Sequence, residues 1–398
     1  MSRILIALEL GGGYGHLAVC LSIAEALRAR GHTVSFILRD LRLAAERLET
    51  AGFSFTQSPV LPKIARWSGS PVSYAEILLA EGYGDAGGLL ALVAAWRNAF
   101  RLVQPDLILA DHAPTALFAA RLSNIPCAAL GAGFTVPPPC FPMPSILPWK
   151  NIPRSRLEQA SRTVDLHLTQ AAAKLGCTYR SGVAGLFGRH DLLTTFAELD
   201  CYGSRPDSRY IGPIHALSET SSVAWPSLAG SRILAYLRPE VPGVSELLAA
   251  LAKCDAAVLC VMPGAKPEWI KQFSRPGLHI VPQLAAIGGL LTEADLVVTY
   301  GGHGFLCQAL QAGRPLLVIP QFIEQLLNAR CAERLGAAIV IGDDRRQTVF
   351  ATALARILDD ARFAERARAF ADRYVNRAPE ESLTLAVDGV EALLGSRG

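Results

Sequence analysis

The 398-residue sequence lacks the features that mark several large classes of protein. Its 38 basic and 35 acidic residues nearly cancel, to a net charge of +3, and it has no Lys/Arg block of the kind that follows a nucleic-acid backbone. Nine cysteines occur without a Cys-x-x-Cys pair, and their odd number argues against a complete disulfide framework. The start Met-Ser-Arg-Ile-Leu leads into a strand pattern rather than a signal peptide. We therefore predict a reduced, cytoplasmic protein with no nucleic-acid partner.

Motifs for metal and dinucleotide chemistry are also missing. No Asp-x-Asp occurs to hold a divalent ion on a sugar diphosphate, and the eight histidines are too dispersed for zinc spacing. The glycine run Gly11–Gly15 is followed by His16, so it fails the third glycine of the G-x-G-x-x-G dinucleotide fingerprint. We expect no metal and no resident cofactor, and the failed fingerprint argues against a nicotinamide enzyme.

Charged residues are absent between Leu122 and Trp149, which could suggest a membrane span. Seven prolines between Pro126 and Pro148 forbid a continuous helix there. The stretch is therefore predicted to be an irregular apolar loop, after a strand that is signalled by Asn124-Ile125-Pro126, and no transmembrane segment is expected.

What the sequence does contain is a regular alternation of strand and helix patterns. A chain of this length is expected to form two domains, and its hydrophobic content of 51% is ample for two cores. The first half opens with a βαβ pattern, and the second half continues the alternation. Predicted strands are Ile4–Leu8, Thr33–Leu38, Asp106–Ala110, Ile233–Leu237, Ala257–Val261, Leu278–Val281, Leu296–Thr299, Leu316–Ile319 and Ala338–Ile341.

Apolar strands that alternate with helices indicate parallel sheets covered on both faces. The predicted fold class is therefore α/β, with two doubly wound domains. Residues 216–230 are rich in Ser, Thr, Ala and Gly and lack periodicity, so we place a linker there. The predicted domains are residues 1–215 and residues 231–398, the second ending in a helical tail from about Val349.

The segment from Thr299 to Gly304 predicts an anion-binding loop. It joins the apolar run Leu296–Thr299 to a helical period, and its glycines allow the backbone to approach a ligand closely. The N–H groups at the start of a helix favour phosphate. Arg238 follows a predicted strand and would face the same zone, where it could neutralise a diphosphate; a solvated strand-end arginine is the alternative.

The block from Tyr300 to Ala309, with Gly313-Arg314-Pro315, Pro320, Glu324-Gln325 and Asn328-Ala329 after it, is similar to the donor-binding signature of glycosyltransferase family one. The run from Gly11 to His16 resembles both that family and the lipid-linked N-acetylglucosaminyltransferases of cell-wall synthesis. The resemblance implies the GT-B fold, with two facing Rossmann-like domains and an inter-domain cleft. It also implies that the first domain binds the acceptor and the second binds a nucleotide-sugar.

The same resemblance implies a set of donor-binding residues. They are Arg238, Gln283, Tyr300, Gly301, Gly302, His303, Gly304, Gln308, Glu324 and Gln325. Four positions depart from the family pattern. Tyr300 stands in place of a His, Phe305 in place of Ser or Thr, Gln308 in place of a ribose-binding Glu, and Glu324 in place of Asp. Because Phe305 cannot donate a hydrogen bond, a catalytically degenerate relative that binds sugar-nucleotides or activates a partner protein stays open as an alternative.

His16 is the candidate catalytic base, by its match to the family histidine that follows the first glycine turn. Asp111, just beyond a buried strand, is the candidate partner that would fix the ring's tautomer and stabilise its protonated form. The alternative is that His16 caps a helix and that Asp111 is a strand-end turn residue. His112, next to Asp111, is interpreted as structural.

Aromatic side chains predict an apolar acceptor pocket. The candidates are Trp67, Tyr83, Phe134 and Phe141, with Trp96 as a further aromatic, and core packing is the alternative for each.

The function that the resemblance implies is an inverting transfer of a sugar from a nucleotide-diphosphate-sugar to a hydroxyl. The predicted partners are that donor and an apolar or lipid-linked acceptor, and contact with a membrane surface is left open. A nucleotide-sugar epimerase of the same architecture is a further alternative.

Overall fold

The computed structural model describes residues 1–11, 13–42, 44–62, 69–188, 190–215, 223–378 and 380–395. The chain divides into two compact units. The first comprises Met1–Ala216 together with Glu380–Gly398, and the second comprises Leu217–Pro379.

The first unit is built on a parallel sheet with the strand order β3-β2-β1-β4-β5-β6-β7. Its strands are β1 (Arg3–Leu8), β2 (Thr33–Leu38), β3 (Ser54–Gln57), β4 (Leu107–Asp111), β5 (Cys127–Gly131), β6 (Leu192–Leu193) and β7 (Arg209–Tyr210). Its helices are α1 (Tyr14–Ala29), α2 (Ala45–Thr50), α3 (Tyr74–Leu78), α4 (Ala86–Val103), α5 (Pro114–Leu122), α6 (Arg154–Lys174) and α14 (Glu381–Gly395). A π-helical turn (Leu79–Tyr83) and two 3₁₀ turns (Val183–Leu186 and Ala197–Leu199) complete the unit.

Strand β1 shows why this sheet is covered on both faces. Successive side chains point to opposite faces, and both sets in β1 are apolar. Leu5 and Ala7 lie in a core with helices α3 to α6, whereas Ile4 and Ile6 lie in a second core with α1 and α14. The doubly wound arrangement predicted for the first half is confirmed.

The second unit repeats this design with the parallel order β10-β9-β8-β11-β12-β13. Its strands are β8 (Ser231–Tyr236), β9 (Ala256–Val261), β10 (Leu278–Val281), β11 (Leu296–Thr299), β12 (Leu316–Val318) and β13 (Ala338–Val340). Its helices are α7 (Val244–Leu251), α8 (Pro267–Phe273), α9 (Gly288–Glu293), α10 (His303–Gln311), α11 (Ile323–Arg334), α12 (Gln347–Asp359) and α13 (Ala361–Arg373). Every strand predicted from the sequence is present within a residue or two of its expected bounds.

The end of the chain differs from the predicted domain boundary. The expected helical tail consists of α12, α13 and α14, and α14 belongs to the first unit rather than the second. Its apolar face explains the difference, because Ala386, Val387 and Val390 are buried in the core that also contains Ile23 of α1. Of the predicted linker, residues 216–222 lie outside the described ranges, and residues 223–230 form no helix or strand.

The uncharged stretch is partly a strand, since β5 occupies Cys127–Gly131 and irregular backbone follows it. Among the described residues, no single helix has both the length and the apolar character needed to span a membrane. One sharply bent pair, Tyr74–Tyr83 with Ala86–Val103, meets the criteria of length and composition alone.

In each sheet the order in which successive strands are added reverses at one pair of neighbouring strands. In the first unit β1 lies beside β4, with Leu8 opposite Asp111; in the second, β8 lies beside β11, with Tyr236 opposite Thr299. The crossovers diverge on either side of such a pair, which leaves a crevice beyond the carboxyl ends of the strands where doubly wound sheets bind ligands. The candidate residues of both halves follow these strands.

Candidate functional site

In the first unit the structure brings His16 and Asp111 together. His16 lies in the first turn of α1, which follows the glycine loop after β1, and Asp111 is the last residue of β4. Nδ1 of His16 lies 3.0 Å from both carboxylate oxygens of Asp111. With a proton on Nδ1, the carboxylate fixes the ring so that Nε2 is the basic nitrogen. The pair has the arrangement that a general base requires.

The surroundings of the pair favour this geometry. A Cβ at Gly11 would lie 3.1 Å from Nδ1 of His16, so the glycine lets the ring fold against the loop. The Cys20 thiol donates a weak hydrogen bond to Asp111 at 3.5 Å, and burial raises the pKa of that thiol. The His16 side chain remains 23% exposed, whereas that of Asp111 is 6% exposed. The carboxylate is therefore enclosed and the imidazole is accessible.

Sequence reasoning missed Glu9, which follows β1 directly and is 5% exposed. The N–H of Thr115 donates to its carboxylate at 2.8 Å, at the start of α5. Burial raises the pKa of Glu9 to about 7, although the hydrogen bonds from Thr115 and Ala116 act in the opposite direction. Its position at the end of a buried strand, just before the glycine loop, was the signal available in the sequence.

We expect Glu9→Gln to remove a pH dependence of folding stability. Because the pKa of Glu9 is about 7 in the folded state and near 4.5 unfolded, the folded state binds the proton more tightly. The free energy of unfolding therefore falls as the pH rises from 4.5 through 7, by about 3 kcal/mol from this group. Melting curves should show that the melting temperature of the variant, relative to that of the wild type, is several degrees higher at pH 8 than at pH 4.5.

Comparison of the two proteins at each pH is needed, since Asp191, whose pKa burial raises to about 6, adds a slope of the same sign to both. If the difference between variant and wild type does not change with pH, Glu9 ionises normally and the assignment is wrong.

In the second unit the glycine loop after β11 has the geometry of an anion site. Gly301 has φ of 90°, a conformation that a side chain would strain. The Asn328 amide donates to the Gly301 carbonyl at 3.3 Å, and Asn328 also lies 3.3 Å from Nδ1 of His303, the first residue of α10. These contacts hold the loop at the start of α10, where helix N–H groups can bind phosphate.

Three aromatic rings pack beside this loop. The centroid of Tyr236 lies 4.8 Å from that of Phe305 and 6.1 Å from that of Tyr300, and all three side chains are partly exposed. Tyr300 lies over the loop, since a Cβ at Gly302 would be 3.2 Å from its ring. The Arg238 guanidinium stacks on Tyr300 at 5.1 Å. Arg238, Tyr300 and the glycine loop are therefore together, and Tyr236 is an addition that the sequence analysis missed.

The remaining donor candidates lie on neighbouring strand ends and helices. Gln283 is exposed just after β10, Gln308 is partly buried on α10, and Glu324 lies in the first turn of α11. The side-chain oxygen of Gln325 accepts the Gln321 N–H at 2.8 Å, so this amide stabilises the entry to α11. The roles of these four residues in binding the donor stay predictions.

Comparison with known proteins gives three consistent similarities. Residues 245–386 match the family model for the C-terminal domain of erythromycin biosynthesis protein CIII-like proteins. A PGL/p-HBAD biosynthesis glycosyltransferase of Mycobacterium tuberculosis is 26% identical over 71% of this chain and 70% of its own. The crystal structure of the glycosyltransferase VinC in complex with DTDP superposes with a TM-score of 0.70 at 17% identity, over 100% of both chains. The chain is a glycosyltransferase of the GT-B type.

The resemblance to glycosyltransferase family one is thereby confirmed, and this glycosyltransferase acts on nucleotide-sugars. The similarity to the lipid-linked group is present as well. A UDP-N-acetylglucosamine--N-acetylmuramyl-(pentapeptide) pyrophosphoryl-undecaprenol N-acetylglucosamine transferase of Synechococcus is 27% identical over 86% of this chain and 83% of its own.

The aromatic acceptor candidates of the glycosyltransferase are scattered. Tyr83 is 1% exposed in the core, where its hydroxyl pairs with that of Thr115 at 3.0 Å, so its expected place in an acceptor pocket is corrected to core packing. Trp96 is also fully buried. Phe134 is 6% exposed and packs on His112, whereas Phe141 is 46% exposed beneath Arg162. Trp67 lies outside the described residues.

Proposed function

We propose that this glycosyltransferase transfers a sugar from a nucleoside-diphosphate-sugar to an acceptor hydroxyl with inversion at the anomeric carbon. The observation that carries the proposal is the contact of 3.0 Å between Nδ1 of His16 and each oxygen of Asp111. Nε2 of His16 takes the hydroxyl proton as the acceptor oxygen attacks the anomeric carbon. The bond from that carbon to the phosphate oxygen breaks, and the nucleoside diphosphate leaves with the electron pair.

The second unit is proposed to bind the donor. Arg238 and the start of α10, from Gly301 to Gly304, would hold the diphosphate, whose charge grows as the bond breaks. Gln283 is proposed for the nucleobase, Gln308 for the ribose, and Glu324 with Gln325 for sugar hydroxyls. The complex of VinC with DTDP supports thymidine diphosphate as the leaving group, and the relative from Synechococcus that uses UDP-N-acetylglucosamine supports uridine diphosphate.

The acceptor is proposed to be an apolar natural-product molecule or a lipid-linked hydroxyl compound. The exposed ring of Phe141 supplies apolar surface on the first unit, whereas Phe134 is buried beside His112. The relatives support both classes, since they include an oleandomycin glycosyltransferase of Streptomyces antibioticus as well as the undecaprenol-linked transferase.

One observation favours a second candidate function. The Tyr300 ring lies over the glycine loop, and Phe305 brings no hydrogen-bond donor to the phosphate zone. A catalytically degenerate protein that binds sugar-nucleotides without transferring the sugar would tolerate these changes. The free energy of diphosphate binding would then come from Arg238 and backbone N–H groups.

Product analysis separates these functions. We expect the chain, incubated with α-linked UDP-glucose or TDP-glucose and a panel of phenols and aliphatic alcohols, to form a β-glycoside, because a single displacement inverts the anomeric centre. The anomeric coupling constant in the proton NMR spectrum reports the configuration. An α-glycoside would exclude a single displacement by an acceptor oxygen that His16 deprotonates. An isomerised free nucleotide-sugar would identify an epimerase, and binding without transfer or hydrolysis would favour the degenerate relative.

A further inference from the structure

The mechanism leaves unused a buried polar pair beside Asp111. His112 follows Asp111 in the chain and is 9% exposed, and Tyr74, the first residue of α3, is fully buried. Nε2 of His112 and the hydroxyl of Tyr74 are both buried without a hydrogen-bond partner among the residues that the structure describes. Their rings are in contact, with centroids 5.9 Å apart.

Such atoms are costly in a folded protein. A buried polar group left without a partner lowers stability by about 1 to 3 kcal/mol, whereas phenylalanine or leucine in the same places would avoid that loss. These two atoms lie on touching rings, and His112 is next to Asp111 in the chain, so an oxygen atom of a buried water or of a ligand is needed to satisfy them.

The backbone of His112 shows that this side chain is held in place. Its φ is 45°, in the left-handed region that side chains seldom adopt, and its carbonyl accepts the N–H of Leu10 at 2.9 Å. The ring lies between Tyr74 and Phe134, whose centroid is 6.0 Å away. The imidazole is thus fixed among aromatic rings at the carboxyl ends of β1 and β4.

The charged groups near His112 and Tyr74 determine which kind of ligand atom these two side chains can bind. Burial lowers the pKa of His112 to about 3, and the neighbouring His16 acts in the same direction, so the imidazole is neutral at pH 7. The carboxylate of Asp111 is adjacent in the chain, and that of Glu9 lies close enough to raise the pKa of Tyr74. A neutral imidazole and a phenol beside two carboxyl groups disfavour an anion and suit an uncharged oxygen.

We propose that His112 and Tyr74 form a specificity site of the acceptor, where Nε2 and the phenol hydroxyl hydrogen-bond an uncharged oxygen other than the hydroxyl that receives the sugar. This inference rests on the proposed function. It narrows the acceptor to a ring compound with apolar faces that carries a carbonyl or second hydroxyl group.

The test uses the full-length chain and three pairs of probes. Each pair compares 2-, 3- or 4-hydroxyacetophenone with the ethylphenol of the same substitution, which has the same shape without the carbonyl oxygen. Because the carbonyl group also makes the phenol more acidic, the deciding readout is the change in preference between the wild type and the variants. With saturating donor, the wild type should prefer the carbonyl compound of at least one pair by roughly tenfold or more in kcat/KM, the effect of one buried hydrogen bond.

Tyr74→Phe should abolish most of this preference while the donor KM and the melting temperature stay unchanged, because the lost hydroxyl has no partner among the described residues. His112→Asn should do the same, since asparagine tolerates positive φ but does not reach the Nε2 position. His112→Gln places an amide near that position and should restore part of the preference. Tyr83→Phe is the matched control. Its hydroxyl is bonded to Thr115, so the melting temperature should fall without a change in preference.

The inference is overturned if the wild type transfers sugar but prefers no carbonyl compound, or if Tyr74→Phe and His112→Asn keep the wild-type preference. In the second case the two groups are structural. Failure of the proposed function looks different, because the wild type would then transfer to no probe and hydrolyse no donor, and the inference would fall with it.

Discussion

Replacement of His16 by alanine is expected to lower the turnover number roughly 10²- to 10⁴-fold, with little change in donor affinity. The reason is that a general base acts in the transition state, when the proton leaves the acceptor hydroxyl, and takes no part in holding the nucleotide. His16 belongs to the first unit, whereas the residues proposed for the diphosphate belong to the second. Initial rates with saturating donor, together with calorimetric titration of the nucleoside diphosphate, would measure the two effects separately.

Two further variants sharpen this experiment. Asp111→Asn keeps the shape of the partner but removes its charge, and it should lose somewhat less activity than His16→Ala. His32→Ala removes another histidine that contacts a carboxylate in the first unit, at 3.1 Å from Glu391. This control should lower the melting temperature and leave the turnover number unchanged. Full transfer activity in His16→Ala would show that another group removes the proton.

Much of the fold could be predicted from the sequence because its buried strands are continuous apolar runs. Strands β1, β9 and β11 are almost entirely buried, so nearly every residue in them is hydrophobic and their bounds are clear. Strand β3 carries exposed residues along most of its length, and β6 and β7 have two residues each. Such short or exposed strands are defined by their neighbours in the sheet, and a local pattern cannot reveal them.

The assignment of α14 required tertiary information. Its apolar period predicted a helix, but the face that it covers is formed by residues such as Ile23, more than 350 positions earlier in the chain. A periodic pattern specifies that a helix buries one face and does not identify the surface that receives it. The predicted domain therefore ended at the last residue of the chain, and the structure returns the last helix to the first unit.

The candidate site also combines features that the sequence predicts with features that only the three-dimensional structure reveals. His16 and Asp111 were selected from the resemblance to the family pattern. The contact between them was to be expected because parallel strands end at one edge of a sheet. The orphaned atoms of Tyr74 and His112 were not detectable in the sequence, since hydrogen-bond satisfaction depends on three-dimensional surroundings. Tyr83 shows the opposite error, because an aromatic residue in an apolar segment has the same pattern whether it lines a pocket or fills the core.

Gly301→Ala is expected to abolish the stabilisation of the chain by a nucleoside diphosphate. Gly301 has φ of 90°, and an added Cβ would lie 2.9 Å from Cγ1 of Val318 and 3.1 Å from the Gln325 carbonyl oxygen. The loop must shift to accommodate the methyl group, at a cost of roughly 2–4 kcal/mol. The shift would displace the N–H groups at the start of α10 that are proposed to hold the diphosphate.

Melting curves of the full-length chain with and without uridine or thymidine diphosphate provide the measurement. A ligand at about 100 times its dissociation constant stabilises the folded wild type by roughly 2.7 kcal/mol, and Gly301→Ala should lose most of that shift. Gly289→Ala in α9, outside the proposed donor site, is the matched control, since the same methyl group would meet nothing within 4 Å on helical backbone and should not lower the melting temperature. Arg238→Ala covers the case in which Gly301→Ala fails to fold. The exposed guanidinium can be removed without moving the loop, and its loss should weaken diphosphate binding by tenfold or more. Undiminished stabilisation of both Gly301→Ala and Arg238→Ala by the nucleotides would place the diphosphate elsewhere in the chain.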